Sequence, residues 1–196
     1  MRINRGMLVL LMGLSFWLAL VSGVQAASVE SKENRRVMRK IDTLNGTLTL
    51  LDKTQIARSV RKCGLDENLV LAIIKTESDF VNGAVNRRSK DFGLMQVNEY
   101  HIKISRLDRV RLTWDVDYNV MHGCRILGWF LSTYPKRSEA IGRYNCGTRV
   151  QCVRLRQVKR YVRRVQYHYK KLKSVSYHMD KGLRLKIKKV LRTRSH

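Results

Sequence analysis

The chain has 196 residues, and 40 lysines and arginines against 15 acidic residues give it a formal net charge of +25. This length predicts one domain with a sizeable core rather than several domains. The charge balance points to a polyanionic partner. Lys and Arg dominate from Val153 to the end, where Asp180 is the single acid. A solvated basic tail without a dedicated partner is the simpler alternative.

The first residues have the pattern of a secretory signal peptide at 1–26. A basic Met1–Arg5 is followed by the apolar run Met7–Val21, and Val24–Ala26 supplies small or apolar residues at the −3 and −1 positions of a cleavage site. The alternative is an uncleaved membrane anchor, because 7–24 is just long enough to span a bilayer. The glycines and serines within that run favour removal. Export excludes nucleic acid as the leading partner and favours an anionic wall polymer, lipid headgroups or an acidic protein.

Four cysteines in an exported chain predict disulfides. Three pairings are possible. Cys146 and Cys152 enclose five residues that include Gly147, which favours their pairing and leaves Cys63 with Cys124. A zinc site is the competing interpretation, but no CxxC or histidine spacing supports it. We therefore expect no metal and no cofactor.

Apolar residues recur at helical spacing and no useful strand-period run occurs, so we expect a mainly helical chain. The segment 27–51 is expected to be a lead-in that is helical in part at most. It precedes a domain at 52–172 and a basic helical tail at 173–196.

Local signals predict where helices begin. Residues 52–55 resemble a capping box that opens a helix to about Lys62. Further helices are predicted from 117–119 and from 138–141, and a small hairpin is predicted ahead of Phe92. A long basic helix follows, with one face lined by Val153, Val158, Val162, Val165 and Tyr169.

Glu77 ends the best-defined helix of the sequence. Asp66 is its predicted N-cap residue. Val70, Ile74 and Glu77 follow at i, i+4 and i+7, so the carboxylate projects from the apolar stripe. Apolar surroundings raise the pKa of a carboxyl, as a general acid near neutral pH requires. Considered alone, a glutamate at a helix end is most often a surface residue.

Four short motifs follow one another at Ile73–Ser78, Gly93–Asn98, Ala140–Gly147 and Tyr161–Val162. They resemble the successive motifs of the lytic transglycosylase domain, in particular of the small exported type that accompanies type III and type IV secretion systems and pili. The resemblance covers about 54–172. It implies a lysozyme-like helical fold and a periplasmic monomer that cleaves peptidoglycan strands. A secretion apparatus or an anionic wall or membrane surface is the implied partner of the basic tail.

The resemblance also implies a mechanism with one carboxyl group, that of Glu77. The bond between N-acetylmuramic acid and N-acetylglucosamine breaks as Glu77 protonates the leaving oxygen. The carboxylate then takes the proton from the C6 hydroxyl of the muramic residue, which closes a 1,6-anhydro ring. Because the substrate supplies this nucleophile, a second carboxylate is not needed, in contrast to ordinary glycosidases.

Further site residues follow from matching the motifs. Tyr144 and Asn145 are expected beside Glu77, with the Tyr144 hydroxyl orienting it, and Ser78 is expected to support the helix end. The expected substrate-binding residues are Gly93, Leu94, Met95 and Gln96. Ordinary core packing remains the alternative for Tyr144 and Met95. The family often has a serine in the loop after its glutamate, and Asn86 and Ser89 both compete for that place.

The chain also departs from the family pattern. Cys146 replaces a small residue after Asn145, which suggests a disulfide that stiffens the wall of the site. Arg87, Arg88 and Lys90 place positive charge near a substrate that carries peptide carboxylates.

Residues 89–93 resemble the motif that delivers the second carboxylate of animal-type lysozymes, here Asp91. If Asp91 faces the scissile bond, a muramidase reaction with Glu77 and Asp91 is the alternative enzymatic function. More often such an aspartate only caps local N–H groups. A non-catalytic, basic wall-binding assembly protein is the alternative outside enzymes.

Overall fold

The computed structural model describes residues 29–193 of the chain, and side chains as far as residue 176. The predicted signal peptide at 1–26 lies outside the described residues. Within the described range, no helix is both long enough and apolar enough to cross a bilayer.

The described part of the chain is mainly helical, as the sequence predicts, with three very short strands near its middle. The elements are α1 (29–44), α2 (Leu50–Lys62), α3 (Glu67–Ser78), β1 (Val85–Asn86), β2 (Asp91–Phe92), β3 (Val97–Asn98), α4 (Glu99–Ser105), α5 (Arg109–Trp114), α6 (Val116–Thr133), α7 (Arg137–Cys146), a 3₁₀ turn (Cys152–Arg154) and α8 (Arg156–Thr193).

Helix α3 lies at the centre of the core. Its residues 69–74 are all buried, which explains why an almost uninterrupted apolar run occurs there. The side chain of Asp66 caps the helix by accepting from the N–H of Asn68, as predicted. The same carboxylate accepts hydrogen bonds from Arg137 and Tyr169 at 2.8 Å each, which ties the start of α3 to α7 and α8.

The segment expected to be a lead-in contributes a complete helix, α1. Val37, Ile41 and Leu44 lie at i, i+4 and i+7 and are buried in the main core. Lys40 is also buried, and its ammonium donates to Glu67 Oε2 at 3.0 Å. The prediction of partial helix at most is therefore wrong, because the narrow apolar stripe of α1 is hidden among charged residues in the sequence.

Helix α2 begins earlier than predicted. Thr49 is the N-cap residue, and its hydroxyl accepts from the N–H of Asp52 and donates to the Asp52 carboxylate at 2.6 Å. These two reciprocal hydrogen bonds cap the first turn of α2. The helix therefore begins about one turn before the start that the capping box at 52–55 predicts. Asp52 is thus the partner of the cap and not the cap itself.

Two disulfides fasten the helices in the predicted pairs. Cys63–Cys124 joins the end of α2 to the middle of α6, with 61 residues of sequence separation. Cys146–Cys152 joins the end of α7 to the 3₁₀ turn.

The predicted hairpin region forms a three-stranded antiparallel sheet in the order β1-β2-β3. Val85 pairs with Phe92, and Asp91 pairs with Asn98. The sheet holds the segment between α3 and α4 against the helical core.

Helix α8 runs without a break through the predicted boundary between domain and tail at residue 173. Val158, Tyr161, Val165 and Leu172 form its buried face. Val153, expected on this helix, lies in the 3₁₀ turn before it.

The packing of α1 leads to a prediction. Replacing Ile41 with Ala should lower the free energy of unfolding by about 2–4 kcal/mol, because the residue is buried and truncation leaves a cavity. Urea denaturation measures this. The matched control is Arg36→Ala on the exposed side of the same helix, which should change stability by less than about 0.5 kcal/mol. Equal effects of the two changes would show that α1 is not part of the cooperative core.

Candidate active site

Glu77 lies in the last turn of α3, where the helix emerges from the core. Val70 and Ile74 are buried on the same stripe, as the spacing predicts. Asp79 and Phe80 then adopt left-handed backbone conformations with φ of 54° and 65°, which turn the chain away from the helix axis. The carboxyl is therefore held at the boundary between the core and the surface.

Ser78 connects the end of α3 to the turn that follows β2. Its hydroxyl is buried and donates to the carbonyl oxygen of Leu94 at 2.8 Å. The expected support of the helix end thus has a definite form, a hydrogen bond between the first and second motifs.

The turn at 93–96 is built around a side chain that the sequence reasoning missed. Asn119 of α6 is buried, and its amide donates to the carbonyl oxygens of Phe92 and Leu112 while its Oδ1 accepts from the N–H of Met95, all at 2.8 Å. A Cβ on Gly93, whose φ is +73°, would lie 2.2 Å from this amide. The turn therefore requires glycine. An asparagine between apolar residues of a helix was the available signal.

Only one residue of this turn presents its side chain to a cavity. Leu94 and Met95 are fully buried, and Met95 packs against Gly123. Neither side chain is therefore exposed to bind substrate as expected, and core packing, the alternative for Met95, is what the structure has. Gln96 lines the cavities beside Glu77, and its amide is fixed by the carbonyl oxygens of Gly93 and Ala84 at 2.8 and 3.1 Å.

A tyrosine hydroxyl orients Glu77, but it does not belong to the expected residue. Tyr161 of α8 donates to Glu77 Oε1 at 2.6 Å, whereas Tyr144 donates to the carbonyl oxygen of Met95 at 2.8 Å. Burial and the nearby negative charge of Glu77 raise the pKa of both tyrosines well above the usual value, so both hydroxyls remain donors. Tyr161 belongs to the fourth motif, so the sequence pointed to this residue but did not predict that it would bind Glu77.

Two cavities meet at the residues Glu77 and Gln96, which line both. The larger, of about 800 Å³, has Lys75, Arg87 and Arg164 in its wall, and we call it the arginine-side cavity. The smaller, of about 490 Å³, we call the tyrosine-side cavity. Its lining includes Asp91, Tyr144, Asn145, Cys146 and Arg149.

Asp91 shares the tyrosine-side cavity with Glu77. Its carboxylate accepts from the amide of Asn98 at 2.6 Å and from the hydroxyl of Ser89. It therefore binds two side chains rather than the backbone N–H groups that an ordinary turn aspartate would cap. Ser89 lies in this cavity, whereas Asn86 lies in the arginine-side cavity, and the two remain alternatives for the family's serine.

The Cys146–Cys152 bridge stands in the wall of the site. Cys146 and Gly147 line the tyrosine-side cavity directly after Tyr144 and Asn145. Asn145 itself is exposed and lies beside Glu77 in the same cavity. The bridge thus limits the movement of the loop that borders the site.

Burial raises the pKa of Glu77 from 4.5 to about 7. The hydrogen bond from Tyr161 lowers this pKa, the negative charge of Asp91 raises it, and the positive charge of Arg164 lowers it. At neutral pH the carboxyl is therefore divided between its protonated and ionised forms. A group in this condition can both give and take a proton.

The part of the chain that the structure describes contains no group of three or more His, Cys, Asp or Glu side chains arranged to hold a metal ion.

Comparison with known proteins finds both a family and individual relatives. A family model described as "Transglycosylase SLT domain" matches residues 55–168. "Invasion protein IagB" of Salmonella typhimurium (strain SL1344) is 33% identical over 129 residues, which are 63% of this chain and 79% of that protein. "Protein IpgF" of Shigella flexneri is 33% identical over 94 residues, which are 43% of this chain and 59% of that protein.

A solved structure is also similar. It is the X-ray structure of an inactive mutant of the lytic transglycosylase Slt from Pseudomonas aeruginosa, with a TM-score of 0.49 and 20% sequence identity. The similarity covers 60% of this chain and 23% of that chain.

The raised pKa of Glu77 predicts how stability depends on pH. Below pH 4.5 the carboxyl is protonated in both the folded and the unfolded chain, and its burial costs no ionisation energy. As pH rises from 4.5 to 7 only the unfolded chain releases the proton, so stability falls, by roughly 3 kcal/mol in total. Glu77→Gln removes this titration. In urea denaturation, the stability of the Glu77→Gln variant relative to the wild type should therefore rise by that amount between pH 4.5 and pH 8.

The matched control is Glu30→Gln on α1, whose side chain is 54% exposed, so that solvent screens its charge. Its stability relative to the wild type should change little over the same range. A pH-independent difference for Glu77→Gln would contradict the described environment of the carboxyl.

Proposed function

Because the chain belongs to the transglycosylase SLT domain family, and with it to the lytic transglycosylases of peptidoglycan, we propose that Glu77 is the single acid–base group of this reaction. The carboxylic acid protonates the glycosidic oxygen that leaves from the bond between N-acetylmuramic acid and N-acetylglucosamine. The resulting carboxylate accepts the proton of the muramic C6 hydroxyl, whose oxygen attacks C1 and forms the 1,6-anhydro ring. One proton leaves and returns to Glu77, so no water is consumed.

The raised pKa of Glu77 is the observation that supports this role most directly. A pKa of about 7 keeps much of the carboxyl protonated at neutral pH, yet leaves its conjugate base strong enough to accept a proton. The Tyr161 hydroxyl donates to one carboxyl oxygen at 2.6 Å and so leaves the other, Oε2, for the substrate. Tyr161 is thereby a positioning residue of the proposed reaction.

The two cavities supply room for sugars next to Glu77. Gln96 lies at their junction with its amide nitrogen already bonded to carbonyl oxygens, so its own oxygen is available to a substrate hydroxyl or acetamido N–H. Asn145 lies in the tyrosine-side cavity and is exposed to the same space. We propose Gln96 and Asn145 as substrate-binding residues. Tyr144 acts indirectly, by holding the Met95 backbone.

The biological setting is proposed from the sequence and the relatives. The pattern of a signal peptide at 1–26 supports export to the periplasm, where peptidoglycan is reached. One relative is named an invasion protein. This name supports a role in opening the wall locally for an apparatus that crosses it, a secretion system or a pilus. We propose that the protein acts as a monomer.

The central experiment compares the wild type with Glu77→Gln on purified peptidoglycan. The amide is nearly isosteric but cannot transfer the proton, so wall cleavage should fall by at least about 10²–10⁴-fold. Mass spectrometry of the released fragments should find 1,6-anhydromuramic ends with the wild type. Glu30→Gln, which changes an exposed acid on α1 that lines neither cavity, is the matched control and should retain activity. Wild-type rates in folded Glu77→Gln protein would refute the assignment.

A muramidase is the second candidate function, because Asp91 lies in the same cavity as Glu77 and its charge acts on the Glu77 carboxyl. Asp91→Asn distinguishes the two reactions. On the transglycosylase mechanism the variant should keep most of its activity and still release anhydro ends, since the substrate supplies the nucleophile. Loss of activity as severe as that of Glu77→Gln, together with reducing ends in the wild-type products, would establish the hydrolase instead.

A further inference from the structure

Three cationic side chains converge on the arginine-side cavity from separate parts of the chain. Lys75 comes from α3, Arg87 from the loop between β1 and β2, and Arg164 from α8. Apart from Glu77, the lining includes one acid, Asp79. Since three elements contribute, the cluster is a product of the fold and not of a local basic run.

The charges of this cavity are balanced only in part. Lys75 forms an ion pair with Asp79, four residues further along α3. Within the described residues, no carboxylate lies within 4.0 Å of the guanidinium of Arg87 or Arg164. Two guanidinium groups therefore face the cavity with their donors unoccupied by acids.

The neighbours of these arginines in the sequence behave differently. Arg88 does not line the arginine-side cavity, and Lys90 forms an ion pair with Glu99 at 3.1 Å. Arg163 lies in a separate depression between α7 and α8. Of the basic loop residues noted in the sequence, only Arg87 reaches the space beside Glu77.

A guanidinium beside Glu77 has an electrostatic cost for the proposed reaction. The charge of Arg164 lowers the pKa of Glu77, which reduces the protonated fraction that a general acid needs. Arg87 and Arg164 also add like charge to the same cavity, which is unfavourable until an anion neutralises it. An anionic group of the substrate would remove both disadvantages, and a carboxylate fits the planar fork of an arginine best.

We propose that Arg87 and Arg164 form a subsite for the carboxylates of the peptide attached to the muramic residue. The enzyme then prefers anionic, peptide-bearing glycan strands over strands in which these carboxylates are neutral. The inference rests on the proposed function and adds the substrate class, because it concerns how the strand is selected and not how its bond is broken.

The experiment uses two substrates that differ only in charge. Uncrosslinked, peptide-bearing strands are cleaved as prepared, and a second portion is first converted to carboxamides with a carbodiimide and ammonia. The full exported chain is assayed on both at one ionic strength, with kcat/KM measured for each. The ratio of the two values reports recognition of the substrate charge. It cancels any change in the Glu77 pKa that a substitution causes in the free enzyme, since both substrates meet the same free enzyme.

The wild type should cleave the carboxylate substrate about 3- to 30-fold faster than the amidated one in kcat/KM, as expected for two exposed charge contacts. The difference should appear in KM through the charge contacts, and in kcat as well because the bound carboxylate offsets the effect of Arg164 on the Glu77 pKa. In Arg87→Gln/Arg164→Gln protein the ratio should approach one. The matched control is Arg88→Gln/Arg163→Gln, which removes the same net charge from adjacent positions outside the cavity and should keep the wild-type ratio.

The outcomes separate this inference from the proposed function. No cleavage of either substrate by the wild type would refute the proposed function. Cleavage of both at equal rates would leave that function intact and refute the subsite. If the ratio of the two kcat/KM values fell toward one equally in both double variants, the subsite would also be refuted. The preference would then come from the overall positive charge of the protein.

Discussion

The site depends on one constraint, the partial removal of the Glu77 carboxyl from water at the end of a buried helix. Burial disfavours the ionised form, and the C-terminal end of a helix carries partial negative charge that disfavours it further. Such a carboxyl would destabilise the fold and move freely if nothing held it. The Tyr161 hydroxyl gives it one strong hydrogen bond, which limits the cost and fixes the direction of the group.

This constraint explains why α8 is part of the site as well as of the core. The helix supplies Tyr161 on its buried face and Arg164 almost one turn later, facing the cavity. Tyr161 stabilises the ionised carboxyl by a hydrogen bond and Arg164 does so by charge, while Asp91 opposes both from the other cavity. The proton affinity of Glu77 is thus set by residues from distant parts of the chain, and not by α3 alone.

The backbone around Glu77 is held by buried polar side chains rather than by regular sheet. Ser78 bonds to the carbonyl oxygen of Leu94, and Asn119 makes three hydrogen bonds to the segment 92–95 and to Leu112. Strands of two residues each cannot provide comparable rigidity. Buried polar groups of this kind are costly unless satisfied, and here each bond also locates the turn that presents Gln96.

The sequence by itself determined the features that depend on nearest neighbours along a helix or on simple chain length. The Asp66 cap, the place of Glu77 on the apolar stripe, the mainly helical composition and the pairing of Cys146 with Cys152 all follow from local spacing. The motif order indicated the family. Only the tertiary structure decided which tyrosine reaches Glu77, because Tyr144 and Tyr161 lie on different helices whose relative register is set by core packing. It also decided that Met95 is buried while Gln96 is presented, since Asn119 fixes the turn from a distant helix. The role of α1 was likewise hidden, because its narrow apolar stripe can be recognised as a core face only once Val37, Ile41 and Leu44 are seen in the main core.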